Sequence, residues 1–233
     1  MSRQSPNESA TLFAIGTKKM GNNGEMWIVV VTKTNVKRWA PIKNDELSKY
    51  QHGRKYYTHN NGGRPYVVYL ANKTTVAIFA VDTKRLIKVY NNVEKVFVGR
   101  YSIKSRRGKI YRAEFTGNSI LLKLAGDKYV FIGHCVYEFK AVDDIKYYYS
   151  LVGNSDVPYP VAVGERFVYF MLDSMYINKS DLAAFIQEYG GSVDWENAYE
   201  YYYKLVANKN KLANKAGIEI HKMKNYKLIS SGL

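Results

Sequence analysis

Residues 117–173 constrain the fold of this chain most, because nearly every part of the stretch has the pattern of a β-strand. Side chains alternate along Cys135–Phe139, and the apolar run Ser119–Leu124 is followed by a turn at 125–127. A period of two that is interrupted by Gly and Asp is typical of antiparallel strands. The stretch therefore predicts several short antiparallel strands. The other runs with strand character are Lys128–Ile132, Tyr147–Val152 and Arg166–Leu172.

The N-terminal half continues the strand pattern. Met26–Lys33 and Val36–Trp39 predict a hairpin, and we expect Trp27 and Trp39 to meet across it, because cross-strand aromatic pairs stabilise a sheet. A short helix is predicted at 44–51, a polar loop at 54–64 and further strands through 65–115. Within that last region, we expect a hairpin whose tip lies at 104–108.

The period changes after residue 179. Asp181–Tyr189 predicts a helix with Ser180 as its cap, and a second helix is predicted from Ser192 to Ala216, with Gly217 as its C′ residue. Residues 218–229 predict a terminal hairpin.

These elements predict a β-rich α+β fold. We expect an antiparallel barrel or sandwich with a C-terminal helical pair packed on one side. The predicted divisions are 1–61 (an N-terminal hairpin and basic linker region), 62–178 (the antiparallel β body) and 179–233 (helices and a terminal hairpin).

Positive charge is concentrated in the first half of the chain. The formal net charge is +15, and residues 1–125 hold 23 Lys or Arg against 7 Asp or Glu, whereas residues 126–178 hold 4 against 7. Such asymmetry favours a polyanionic or acidic partner, although a basic surface can also serve solubility alone.

A basic hairpin tip is the sharpest electrostatic feature. Arg side chains at such a tip can clamp phosphate, with tyrosines offering stacking faces, which makes the tip a candidate site for nucleic acid or another anion. In the alternative interpretation the turn is merely solvated and the rings brace the strands. The candidate residues are Lys104, Arg106, Arg107, Lys109 and Arg112, with Tyr101 and Tyr111.

A second candidate surface contains two prolines. Pro158 and Pro160 have a restricted φ and no amide donor, so 156–160 is predicted to be a stiff extended loop outside any central strand. We consider Asp156, Pro158, Tyr159 and Pro160 an interaction loop.

No catalytic or metal-binding motif is evident in the sequence. The chain has no P-loop, no Gly-x-Gly-x-x-Gly, no His-Glu-x-x-His and no Gly-x-Ser-x-Gly. The single cysteine, Cys135, excludes an internal disulfide, and its neighbour His134 is expected on the opposite face of a strand. Whether Asp143, Asp144, Asp156 and Asp173 converge stays open. We predict no enzyme activity and no cofactor.

Two segments resemble uncharacterised proteins of nucleocytoplasmic large DNA viruses. The first, at 18–41, reads KKMGNNGEMWIVVVTKTNVKRWAP. The second comprises GNSILLKLAGDKYVFIGHCVYEF and VGNSDVPYPVAVGERFVYFML, at 117–139 and 152–172. The resemblance implies a viral origin and a role as a virion component, and it transfers no catalytic residues.

Three hypotheses follow. The first is a structural protein, a minor capsid or internal virion component, that binds other viral structural proteins through basic and tyrosine-rich surfaces. The second is a nucleic-acid-binding protein that uses the basic hairpin, and the third is an enzyme whose site is assembled from distant residues. No apolar run approaches the roughly 20 residues of a membrane span. We expect synthesis in the host cytoplasm or nucleus, followed by incorporation into the virion.

Overall fold

The computed structural model describes residues 3–42, 45–58, 66–107, 110–152 and 158–231. Contacts divide the chain into two compact units, Met1–Lys49 and Tyr50–Leu233. The three-part division predicted from the sequence stays a prediction.

The first unit is organised by a three-stranded antiparallel sheet. Its strands are β1 (Lys18–Met20), β2 (Met26–Val31) and β3 (Lys37–Pro41). Asn35 adopts a left-handed conformation, with a φ of +59°, in the turn between β2 and β3. The predicted N-terminal hairpin is therefore confirmed, and the predicted short helix is found as α1 (Asp45–Tyr50).

Trp27 packs against the core cluster that contains Trp39, but the expected direct pairing of the two rings across the hairpin is wrong. The register sets Trp39 opposite Val29 and Trp27 opposite Pro41, so the two rings are offset along the ladder. Trp39 packs instead on Phe13, with ring centroids 5.4 Å apart, and its Nε1 donates to the Glu8 carbonyl at 2.7 Å. The segment that precedes the sheet supplies these partners, and strand periodicity could not predict them.

The second unit contains three antiparallel sheets. Together with the sheet of the first unit, the described residues form four sheets, and none of these closes into a barrel. In spatial order, the four-stranded sheet contains β4 (Arg54–Tyr57), β5 (Tyr66–Leu70), β6 (Val76–Ala80) and β7 (Leu86–Tyr90). The central five-stranded sheet contains β8 (Lys95–Arg107), β9 (Ile110–Lys123), β10 (Lys128–Ile132), β11 (Cys135–Lys140) and, beyond β11, β17 (Lys224–Ser231). The other five-stranded sheet contains β12 (Ile145–Val152), β13 (Pro158–Gly164), β14 (Phe167–Phe170), β15 (Met175–Asn178) and β16 (Ile220–Lys222).

The central sheet is buried on both faces. Successive side chains of a strand point to opposite faces, so adjacent residues enter different cores. Ile120, Val130 and Val136 pack with β5 and β6 side chains, whereas Leu121 and Phe131 pack toward the second five-stranded sheet. This arrangement explains why the central strands read as nearly continuous apolar runs.

Two helices cover the far face of the second five-stranded sheet. These are α2 (Lys179–Glu188) and α3 (Ala198–Ala216), and their apolar side chains share one core with β13, β14 and β15. The rings of Phe170 and Tyr202 stack with centroids 4.2 Å apart. As predicted, Gly217 ends α3 in a left-handed conformation, but α2 is capped by Asn178 and not by Ser180. No helix in the described ranges combines the length and hydropathy needed to cross a bilayer.

Two local predictions in this unit are wrong. The predicted terminal hairpin does not form, because β16 pairs with β15 while β17 pairs with β11 in a different sheet. Residues 54–57, predicted to be loop, form the edge strand β4 against β5. The partners of β16 and β17 belong to two different sheets, so local periodicity and turn residues could not assign them.

Candidate functional site

The predicted basic tip lies at the end of the longest strand pair in the described structure. The β8–β9 ladder runs from the pair Lys95–Lys123 to the pair Arg107–Ile110, with a bulge between Ser105 and Arg106. The strands are longer than predicted, because β9 continues through Gly117 without a break. Lys109 lies outside the described residues, and the other predicted residues lie on these two strands. Those residues are Lys104, Arg106, Arg107, Arg112, Tyr101 and Tyr111.

Tyr101 packs inward and does not present its ring to solvent. It is 4% exposed and pairs across the ladder with Gly117. A Cβ at Gly117 would approach the Tyr101 hydroxyl to 2.5 Å, so the ring occupies the space that glycine leaves open. This placement favours the bracing role for Tyr101. Anion binding by the tip itself stays a prediction.

A basic cleft lies at the base of this hairpin, beside β4. Its volume is about 590 Å³. This volume lies within the roughly 300–1,000 Å³ range of ligand sites. The strands β4, β8 and β9 supply its walls. Its lining residues are Arg54, Lys55, Tyr56, Tyr57, Arg100, Thr116, Gly117 and Asn118.

Tyrosines and backbone groups order the cleft. Asn118 donates from Nδ2 to the Tyr57 carbonyl at 3.1 Å, which ties β4 to β9. Arg54 Nη1 donates to the Tyr56 hydroxyl at 3.3 Å, and Lys55 Nζ lies 5.5 Å from the Tyr57 ring centroid. Arg54 and Lys55 therefore each lie against a tyrosine side chain of β4.

The three cations of the cleft have no described carboxylate partner. Ion pairs among the described residues involve Lys19, Lys123, Lys146 and His221, and none involves Arg54, Lys55 or Arg100. No acidic residue lines the cleft. Like charges that share a concave surface repel one another, so an anion entering the cleft relieves this repulsion.

The extended loop predicted at 156–160 is wrong for its last three residues, whereas the interaction role predicted for them stays a prediction. Pro158, Tyr159 and Pro160 open β13, which pairs with β12 along its whole length; Asp156 lies outside the described residues. The Pro160 carbonyl accepts from the Met171 amide on the β14 side at 3.1 Å. The nitrogen of Pro160 faces the same side and has no hydrogen to donate back to the Met171 carbonyl, so the β14 ladder ends at the pair Val161–Phe170. The Met171 carbonyl accepts instead from the Tyr137 hydroxyl.

Tyr159 belongs instead to a cluster of aromatic rings between β13 and α3. Its ring centroid lies 5.1 Å from that of Tyr199 and 5.8 Å from that of Tyr203. Tyr203 is 41% exposed, and partial burial together with the nearby Asp173 charge raises its pKa to about 12. The cluster therefore exposes part of the Tyr203 ring to solvent, while the rings packed beneath it hold that ring in place.

The His134 and Cys135 side chains are in contact, contrary to prediction. The Sγ and Nε2 atoms are 3.5 Å apart, because His134 lies in the bend before β11 and does not follow the alternation of the strand. Burial raises the pKa of the Cys135 thiol to about 12 and lowers the pKa of His134. Both shifts favour the neutral pair, which is the opposite of an activated thiolate.

The acidic residues have separate structural partners. Asp143 accepts from the Tyr169 hydroxyl at 2.5 Å, whereas Asp144 accepts from Lys123 and Lys146, each at 2.8 Å. Burial raises the pKa of Asp173. Within the described ranges, no group of three or more His, Cys, Asp or Glu side chains could hold a metal ion.

Sequence reasoning missed the cleft because it treated residues 54–64 as one loop. Tyr56, Tyr57 and Thr58 have high strand propensity and are the local signal that could have identified β4. Arg100 carries no local signal, because β4 comes to lie beside β8 and β9 only through the packing of two different sheets.

Comparison with known proteins gives one local similarity. A segment of 56 residues is 45% identical to an uncharacterised protein of Acanthamoeba polyphaga mimivirus. The match covers 21% of this chain and 23% of the mimivirus protein, so the chain covers less than a quarter of this relative. No protein-family profile and no solved structure matches the chain. The similarity supports a viral relationship for that segment and is consistent with the resemblance to large DNA viruses.

Proposed function

We propose that this chain is a non-enzymatic structural or interaction protein of a large DNA virus. It is a minor capsid or internal virion component, and it binds other virion proteins through its tyrosine-rich and basic surfaces. The local similarity to a mimivirus protein supports the viral part of the proposal.

The observation that carries the interaction role is a set of exposed tyrosines on ordered elements. Tyr147 on β12 is 58% exposed, and Tyr203 on α3 keeps an exposed edge above the ring cluster. Tyrosine loses little conformational freedom on binding and combines a large apolar area with a hydroxyl, which is why it is enriched at interfaces. Among the residues of the second unit whose side chains are described, the other exposed tyrosines are Tyr57, Tyr189 and Tyr226.

The layered scaffold suits such a role. The central sheet is covered on both faces, and the second five-stranded sheet is covered by α2 and α3, so the exposed rings are held by rigid packing. A rigid surface pays less ordering entropy on association than a flexible one.

Quantitative mass spectrometry of purified particles tests this function. We expect the chain at a fixed stoichiometry to the major capsid protein across preparations, with cross-links to other virion proteins. The double variant Tyr147→Ser/Tyr203→Ser should reduce incorporation, whereas the matched surface variant Lys73→Ser/Lys215→Ser should not. Absence of the chain from particles that are free of host protein would refute the proposal.

A further inference from the structure

The basic cleft beside the β8–β9 hairpin is not explained by a role in binding virion proteins alone. It lies where β4 meets the base of β8 and β9, and its wall carries three cations, two tyrosines and no carboxylate. By contrast, Lys123 and Lys146 elsewhere in the same unit share the carboxylate of Asp144. A group of cations that has no carboxylate partner in the described part of the chain, and that lies beside tyrosines, indicates an anionic ligand.

We propose that this cleft binds the phosphate backbone of single-stranded nucleic acid. Arg54 and Arg100 have the planar donor geometry that suits phosphate oxygens, and Lys55 adds a third positive charge. The amide of Asn118 and the hydroxyl of Thr116 supply further polar groups at the same wall. These groups make sequence-independent contacts, because phosphate contacts position a strand without reading its bases.

The tyrosines distinguish a nucleic acid from other polyanions. Tyr57 is half exposed, its backbone carbonyl accepts from Asn118, and its ring lies next to Lys55, so an exposed ring is available for stacking beside the positive charge. Alternation of stacking rings with a cationic groove is the usual arrangement of single-strand binding proteins. A duplex keeps its bases stacked inside and gains nothing from such a ring.

The cleft and the basic tip lie on the same two strands. Arg100 and Lys104 are four residues apart on β8, which corresponds to about 13 Å along an extended strand. The nucleic-acid hypothesis stated for the tip is thereby extended to a site built from described residues at the base of the same hairpin. The proposal is independent of the virion role.

Fluorescence anisotropy of the full chain with labelled oligo(dT) tests the cleft. The double variant Arg54→Gln/Arg100→Gln should raise Kd about tenfold or more. It should also reduce the slope of log K against log salt by about 1.4, since each single-strand phosphate contact contributes about 0.7. The control Lys73→Gln/Lys215→Gln removes the same charge at exposed sites away from the cleft. It should change Kd by less than about twofold.

A second pair of variants tests the stacking surface. Tyr57→Leu should weaken oligo(dT) binding about tenfold, whereas Tyr57→Phe keeps the ring and should bind like the unmodified chain. Circular dichroism and thermal unfolding verify that each variant is folded; these exposed substitutions leave the buried cores intact.

Several results would overturn the proposal. They are absent binding, an equal loss in the cleft and control variants, or tighter binding to duplex or to polyglutamate than to oligo(dT). If Arg106→Gln/Arg107→Gln weakens binding and the cleft variants do not, the tip alone is the binding site and the cleft assignment is wrong. None of these outcomes bears on incorporation into particles.

Discussion

The hydroxyl of Tyr169 offers the sharpest test of how the second unit is held together. The Tyr169 ring is fully buried, and its hydroxyl accepts from the amides of Val142 at 3.1 Å and Asp143 at 3.2 Å. It donates to Asp143 Oδ1, and burial together with this carboxylate raises its pKa. One oxygen thus fixes the turn between β11 and β12 against β14.

Tyr169→Phe removes these three hydrogen bonds while keeping the ring, so no cavity forms. Asp143 retains the amides of Arg166 and Phe167 as donors to Oδ2, at 2.6 and 3.2 Å. The two turn amides lose their acceptor, and an unsatisfied buried donor costs about 1–3 kcal/mol. Because this turn is only partly buried, water can satisfy part of the lost hydrogen bonding, and we expect the free energy of unfolding to fall by about 2 kcal/mol.

Guanidinium unfolding followed by near-ultraviolet circular dichroism measures this loss. Tyr147→Phe is the matched control: it removes the same hydroxyl at an exposed site and should change stability by less than about 0.5 kcal/mol. In a double-mutant cycle with Asp143→Asn, the coupling energy should be about 0.5–3 kcal/mol. Equal effects of Tyr169→Phe and the control, or strict additivity with Asp143→Asn, would refute the reasoning.

Three further predictions follow from buried and paired groups. Cys135 should resist disulfide reagents in the native state and react fully when unfolded, because a thiol pKa of about 12 leaves little thiolate at neutral pH; rapid native labelling would contradict this. Gly99→Val should lower the free energy of unfolding by about 1–3 kcal/mol, because a Cβ at this position would lie 2.5 Å from Ser150 Cβ. Thermal unfolding measures the loss, and a variant as stable as the unmodified chain would refute the close approach. Hydrogen bonds from Lys123, Lys146 and Tyr129 hold the pKa of Asp144 well below its ordinary value of 3.8, so its contribution to stability is present above that pH and is lost as the pH falls further. Asp144→Asn should therefore reduce the acid sensitivity of unfolding, and an unchanged pH profile would count against the ion pair.

The strands could be predicted from the sequence, but most of their partners could not. Alternation along Cys135–Phe139 and the turn at 34–35 predict local geometry, because side-chain period and left-handed turn residues act within a few positions. The same holds for Gly217, whose left-handed conformation ends α3. The identity of the cleft was beyond this reasoning, since Arg54 and Arg100 become neighbours only through sheet packing.

What the sequence by itself determined is the β-rich character, the two C-terminal helices and the basic first half. Tertiary structure alone decided that β16 and β17 join different sheets and that Pro158–Pro160 opens a paired strand. It also decided that Arg54, Lys55 and Arg100 share one cleft. The physical reason is that periodicity specifies which way a side chain points, whereas the element that covers it is chosen by the burial of apolar faces from distant parts of the chain.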